Sequence, residues 1–236
     1  MDMTMKAVLL FFIAMSALIL AGCGTVYQPL EINSVGLIPA ARIEKNLYGQ
    51  ANGKSLAFEG SGTWMSGSDS QELIAQQYFA TTAKVGGVTF VPPQTLETRF
   101  NFSVYDTSIR WRHFISGGPF GYEVTGGGGF SRLNFGANGN GVQGEETVYS
   151  PDLDARFGVL LRLGRTTRLE ANTTLFYTNS NLSGVSRNQA TLVQMLGHHV
   201  SVEGGYAWWY VTSPSTTRST AEIQASGPSL GVRFVF

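Results

Sequence analysis

The chain has 236 residues, 43% of them apolar and only 14% charged, against about 25% charged in ordinary soluble domains. Its 16 basic and 16 acidic residues cancel to a formal charge of zero. With no basic footprint and no acidic tail, nucleic acid is not expected as a partner.

Met1 to Lys6 precede an apolar run from Ala7 to Leu20, which leads into Leu20-Ala21-Gly22-Cys23. A run of about 14 residues after a short polar start is an export signal, and falls short of the roughly 18 to 20 a transmembrane helix needs. Cys23 is the only cysteine, which excludes an intramolecular disulfide. The Leu-Ala-Gly-Cys run resembles the lipobox of bacterial lipoproteins. That resemblance implies cleavage before Cys23, acylation of its thiol and new amino group, and a mature chain anchored to membrane lipid at Cys23. Gly24 stands where enteric lipoproteins held at the inner membrane carry an aspartate, so the implied destination is the outer membrane. Residues 1–22 are therefore expected to be a lipoprotein signal peptide. Residues 23–54, with Pro29, Pro39 and mixed charges at Arg42, Glu44 and Lys45 but no sustained period, are expected to be a periplasmic tether.

From residue 55 onward the pattern is β. Ser55 to Met65 carries Leu56, Phe58 and Trp64 at even positions and reads as a Gly-rich strand, broken by Ser66 to Asp69. Gln71 to Phe79 fits a short helix or a loop. Lys84 to Val91 is a strand ended by Pro92-Pro93, which supply no backbone donors. Leu96 to Val104 alternates with apolar residues at even positions, whereas from Thr107 the apolar set is Ile109, Trp111, His113 and Ile115. That flip of parity predicts a bulge or a tight turn near Tyr105-Asp106. Phe120 to Phe135 is a further strand, in which Gly126 to Gly129 permit close backbone approach or a bend. Gly136 to Tyr149 reads as a long polar loop.

Leu153 to Thr178 is the clearest stretch. Leu153, Ala155, Phe157, Val159, Leu161 and Leu163 share one face, opposite Asp152, Asp154, Arg156, Gly158 and Arg162, with Leu160 the exception. After Gly164 to Thr167 the alternation resumes with Leu169, Ala171, Thr173, Leu175 and Tyr177. Each strand has about the ten residues that cross a bilayer at a tilt. Asn179 to Asn188 reads as a second long loop, Ala190 to Leu196 and Val200 to Val211 as strands about a turn at Gly197 to His199, and Ser213 to Thr220 as a third loop. Tyr206 to Tyr210 suggests an interfacial aromatic girdle. The last strand, after a bulge at Gly227-Pro228, alternates through Leu230, Val232, Phe234 and Phe236.

An alternating strand that ends on an aromatic terminus resembles the C-terminal signature of bacterial outer-membrane β-barrel proteins. The resemblance covers roughly Lys84 to Phe236, as pattern and terminus only, and implies recognition of the strand ending at Phe236 by the barrel assembly machinery. The expected fold is all-β, a closed up-and-down antiparallel transmembrane β-barrel. It would occupy residues 55–236 with eight strands, or ten if Tyr105-Asp106 is a hairpin and Ser55 to Met65 joins. Eight strands leave a lumen filled by side chains, so Arg156, Arg162, Glu170, Asn172 and Glu203 should pair across it, and Arg110 and Arg112 should be lumen cations. The short turns at 116–119, 164–167 and 197–199 alternate with the longer loops, which places Phe236 and the tether on the periplasmic side and the loops outside.

Two rival readings rest on small motifs. His199, Ser201 and Glu203 share a face, and His-x-Ser resembles the motif of outer-membrane lipid A deacylases, although Val202 and Glu203 depart from it. Gly62-Thr63-Trp64 resembles the Gly-x-Trp strand of lipocalins, which would make the chain a lipid-tethered periplasmic carrier of a hydrophobic ligand. The expected role is an outer-membrane lipoprotein barrel displaying loops, structural or interacting in function. No catalytic residue, cofactor site or metal site is assigned, and the partner of the loops is not written in the sequence.

Overall fold

The computed structural model describes residues 30–31, 35–49, 53–73, 82–115, 118–178, 182, 184–212 and 222–236. The expected signal peptide and Cys23 lie outside them. In chain order the strands are β1 (Leu30–Glu31), β2 (Ile38–Gly49), β3 (Lys54–Leu73), β4 (Ala83–Val85), β5 (Val88–Phe90), β6 (Gln94–Phe114), β7 (Phe120–Gly139), β8 (Val142–Arg162), β9 (Thr167–Thr178), β10 (Gly184–Met195), β11 (Val200–Thr212) and β12 (Glu222–Val235). No helix among the described residues is long and apolar enough to cross a membrane, which says nothing of a crossing made by strands.

Nine of these strands, β2, β3 and β6 to β12, form a ring. Neighbours pair antiparallel from β2 and β3 through β6 to β12, and β12 closes onto β2 in parallel, from Ser229↔Ile38 to Val235↔Glu44. The expected count of eight or ten is corrected to nine. Ile38–Gly49, expected within a tether, is a ring strand, and so is the segment from Lys54. Residues 83–91 are not: they fold into the separate β4–β5 hairpin about Gly86 and Gly87. An odd count makes the first and last strands run the same way. The chain therefore enters the ring at the end opposite Phe236, not on the same side.

The parity flip at Tyr105-Asp106 is neither a bulge nor a turn. β6 runs unbroken for 21 residues, and its even positions face inward throughout. What changes is the environment on either side. Up to Val104 the inward residues are Leu96, Thr98, Phe100 and Phe102; from Asp106 they are Asp106, Ser108, Arg110 and Arg112. Outward, the polar series Thr95, Glu97, Arg99, Asn101 and Ser103 gives way to Tyr105, Ile109 and Trp111. The same exchange occurs on β3 between Trp64 and Ser66, on β7 between Phe130 and Arg132, and on β8 between Thr147 and Tyr149. Below this level the protein is polar inside and apolar outside. Above it the order is the usual one.

β3, β6, β7 and β8 have 20 or 21 residues, against 12 to 14 for the other ring strands. They project beyond the ring by about eight residues, roughly 25 Å along the strand. Ser66 to Asp69 therefore continues β3, its serines facing outward in this projection. The expected loop at 136–149 is instead a tight hairpin at Asn140-Gly141, both residues with positive φ, 50° and 78°, as the paired central positions of such a turn require. Gly184 to Asn188 belongs to β10, and β12 pairs through Gly227 and Pro228 without a register shift, so no bulge lies there. The inner face of the projection is apolar, with Phe100, Phe102, Leu133 and Phe135 in the core, and Ala83, Val85 and Phe90 of the β4–β5 hairpin are buried with them. The hairpin backbone lies directly on β8: a Cβ at Gly144 would meet the Val85 carbonyl oxygen at 2.4 Å.

Close approach also explains Gly127 and Gly129 of the Gly126 to Gly129 run. A Cβ built on inward-facing Gly129 would lie 1.9 Å from the Tyr105 carbonyl oxygen, whereas one on outward-facing Gly126 meets nothing within 4 Å. Gly129→Ala is expected to lower stability by about 1 to 3 kcal/mol through overpacking. Gly126→Ala, three residues away, should leave the urea unfolding midpoint nearly unchanged.

Candidate functional site

Inward parity on the lower part of every ring strand brings charged side chains together. Arg110 of β6 forks onto Glu44 of β2, with its two terminal nitrogens 2.7 and 2.5 Å from the carboxylate oxygens, and reaches Glu59 of β3 at 3.1 Å. Glu59 also accepts from Arg156 of β8 at 2.7 Å. Arg156 stands 3.8 Å from Glu123 of β7, which accepts from Arg112 at 2.7 Å. Arg112 donates to Glu170 of β9 at 3.1 Å, Glu170 accepts from Arg233 of β12 at 3.1 Å, and Arg233 returns to Glu44 at 3.7 Å. The result is a closed circuit of alternating charges. Arg42 ties in β10 through Gln189 at 3.4 Å and β11 through Glu203 at 3.6 Å, so all nine ring strands are joined. Glu203 is held a second time by Arg233 Nε at 2.5 Å.

This belt is nearly sealed from solvent. Glu59 is 0% exposed, and Arg110 and Arg233 are 1% exposed. Burying ions is costly unless each is paired and hydrogen-bonded, and here each carboxylate of the circuit has two or more guanidinium partners. The belt side chains fill the interior of the ring at this level. The expected cross-lumen residues Arg156, Glu170 and Glu203 take part. Asn172 is buried, but its Oδ1 has no hydrogen-bond partner among the described residues. Arg162 is not in the lumen: it lies at the mouth, over the Phe114 ring at 3.6 Å.

Toward the projection, the belt gives way to an acidic layer and then to aromatic packing. Ser61 Oγ donates to Asp106 and Ser131 Oγ to Asp152, each at 2.7 Å. Arg187 sits over the Trp209 ring at 5.1 Å, and Trp209 stacks on Phe176 and meets Phe102 edge-on. At the opposite end, beside the 164–167 turn, a hollow of about 430 Å³ opens between β2, β3, β8 and β9, lined by Lys54, Arg112, Arg162, Arg165 and Arg168.

The residues of the two rival motifs are not brought into a working arrangement. His199 is exposed on its turn, with Nδ1 2.8 Å from the Val235 carbonyl oxygen. Ser201 is buried, 2% exposed, and Glu203 is bound to arginines. No hydrogen bond joins the three to one another. Trp64 of Gly62-Thr63-Trp64 faces outward, where its Nε1 donates to the Tyr105 hydroxyl at 2.7 Å. No group of three or more His, Cys, Asp or Glu side chains that would hold a metal ion occurs among the described residues.

Sequence reasoning reached Arg110, Arg112, Arg156, Glu170 and Glu203, and missed Arg42, Glu44, Glu59, Glu123 and Arg233 as members of one circuit. The signal for the first two was present: Arg42 and Glu44 share a parity, with Ile43 between them on the other. No protein-family model, curated protein or solved structure matches the chain.

Proposed function

We propose that the chain is an integral outer-membrane β-barrel with a plugged lumen, carried to its membrane by the N-terminal export signal and lipid-anchored at Cys23. Its role is structural or interacting, exercised through the projecting sheet and its β4–β5 cap, and no reaction is assigned. The observation that carries the reading is the exchange of inner and outer polarity at one level on four adjacent strands. Exposed apolar surface on that scale needs a nonaqueous neighbour. On β6 and the residue that follows it, the apolar outer face runs from Tyr105 to Ile115, about ten residues and so roughly 33 Å of chain. At a tilt of 35–45° that is about 25 Å of height, the thickness of the apolar band of such barrels. Trp64, Tyr105, Phe130 and Tyr149 stand at its upper edge, where an aromatic girdle belongs. A soluble carrier of the lipocalin kind calls for the opposite distribution, apolar within and charged without.

The projecting end is proposed to face outside, with Phe236 and the short turns in the periplasm. The assembly machinery would take hold of the final strand from there. Nine strands then put the segment before β2 at the outer end as well. The protein is expected to resist carbonate extraction even as Cys23→Ser, and to run on gels with heat-modifiable mobility. On whole cells a membrane-impermeant thiol reagent should label Asn138→Cys and not Thr166→Cys, each in an acylated Cys23 background. Release of folded Cys23→Ser protein into the aqueous fraction would favour the tethered carrier.

A further inference from the structure

Within the belt each carboxylate of the circuit has two or more guanidinium partners, and the end that carries the 164–167 turn holds cations beyond that matching. Of the five cations lining the hollow, Arg112 is paired with Glu123 and Glu170, and Arg168 shares Glu170 with it and with Arg233. Arg162 is engaged only with the face of Phe114, and Lys54 and Arg165 have no carboxylate partner among the described residues. No Asp or Glu lines the hollow.

The backbone that carries Arg165 and the ring beneath Arg162 are held in place. Leu163 and Gly164 N–H groups donate to the Thr167 carbonyl oxygen at 3.0 and 3.2 Å, and the Met195 N–H donates to the Thr166 carbonyl oxygen at 2.8 Å, which fixes the turn bearing Arg165 against β10. The Arg162 N–H donates to the Pro119 carbonyl oxygen at 2.8 Å, and Phe114 beneath its guanidinium is anchored by a 3.0 Å bond from its N–H to Gly53. A hollow of about 430 Å³, within the range of small-ligand sites, is thus lined by four arginines and one lysine. Guanidinium forks suit the oxygens of a phosphate or phosphodiester group.

We infer that this basic mouth is a binding site for a phosphate-bearing anion, supplied either as free phosphate or as the headgroup of an anionic phospholipid. The site itself rests on the hollow's geometry. Only the lipid source rests on the membrane reading.

Full-length protein in detergent would be titrated by calorimetry with inorganic phosphate, and separately with phosphatidylglycerol or phosphatidylcholine in mixed micelles. Lys54→Ala combined with Arg165→Ala removes two of the three cations without carboxylate partners, sparing Arg162 on the Phe114 ring, and should leave the fold intact, as its unfolding midpoint would verify. The double variant is expected to lose affinity by about tenfold, while Arg99→Ala, at the other end of the molecule, should bind as the parent does. Loss of binding for both phosphate and phosphatidylglycerol marks a site open to the free ion. Loss for phosphatidylglycerol alone marks a headgroup site. Binding no stronger than to phosphatidylcholine, or equal in parent and double variant, would overturn the inference whether or not the protein inserts in a membrane.

Discussion

Glu59→Gln is expected to cost about 3 to 5 kcal/mol, the usual penalty for stranding one side of a buried ion pair. Glu59 is fully buried, accepts from Arg156 and Arg110, and has Arg42 at 3.7 Å. Glutamine keeps the volume and removes the charge, which leaves three guanidiniums sharing less than they need. The measurement is the urea midpoint of the purified protein. Adding Arg156→Met to Glu59→Gln should restore part of the loss, because two partners in one network are not additive. Glu145→Gln is the control: its ion pair with Arg99 is 3.6 Å long and about half exposed, and such a pair contributes little. An unchanged midpoint for Glu59→Gln would mean that the belt is wet enough to tolerate an unmatched arginine.

Val159→Arg tests the other face of the same ring. Val159 lies outward on β8, 51% exposed, between Tyr122 of β7 and Ala171 of β9. In mid-bilayer an arginine there should cost about 2 to 4 kcal/mol. Thr147→Arg, on the same face of the same strand but above the level where polarity inverts, should stay within about 0.5 kcal/mol. Folding into lipid vesicles, followed by the unfolding midpoint, reads both. Equal and small effects at 147 and 159 would place the whole outer face in water.

What could be read from the chain was read where one rule held for a whole segment. β8 and β9 alternate cleanly, and their inward set, including the exceptional Leu160, lies as the pattern predicts. The misreadings cluster where a strand passes from one environment to another. At Tyr105-Asp106 the backbone keeps its register with both neighbours, and only the meaning of an apolar residue changes from inside to outside. Ser66 to Asp69 was expected as a break because serines are poor evidence for a strand, yet there they form the wet face of the projection. β2 was hidden by Arg42 and Glu44, charges that suggest solvent in a protein whose lower interior is ionic. The Asn140-Gly141 turn was legible in principle: the dipeptide is the strongest short signal of a hairpin, obscured here by the surrounding glycines and asparagines.

The parallel seam between β2 and β12 sets the order in which the molecule can be completed. Apart from the short β1–β12 pairing and the β3–β6 ladder, which spans the β4–β5 hairpin, each of the other ring ladders joins strands consecutive in the chain and can zip from a hairpin as soon as both strands exist. The seam joins residues 38–44 to residues 229–235, roughly 190 positions apart, so its loop-closure entropy is met only at the end. Until β12 arrives, β2 and the growing edge both present unpaired backbone groups, the condition under which strands capture foreign partners. A nascent chain is therefore an open curl that must be chaperoned at two edges, and the step that retires both edges at once is the docking of its last fourteen-residue strand.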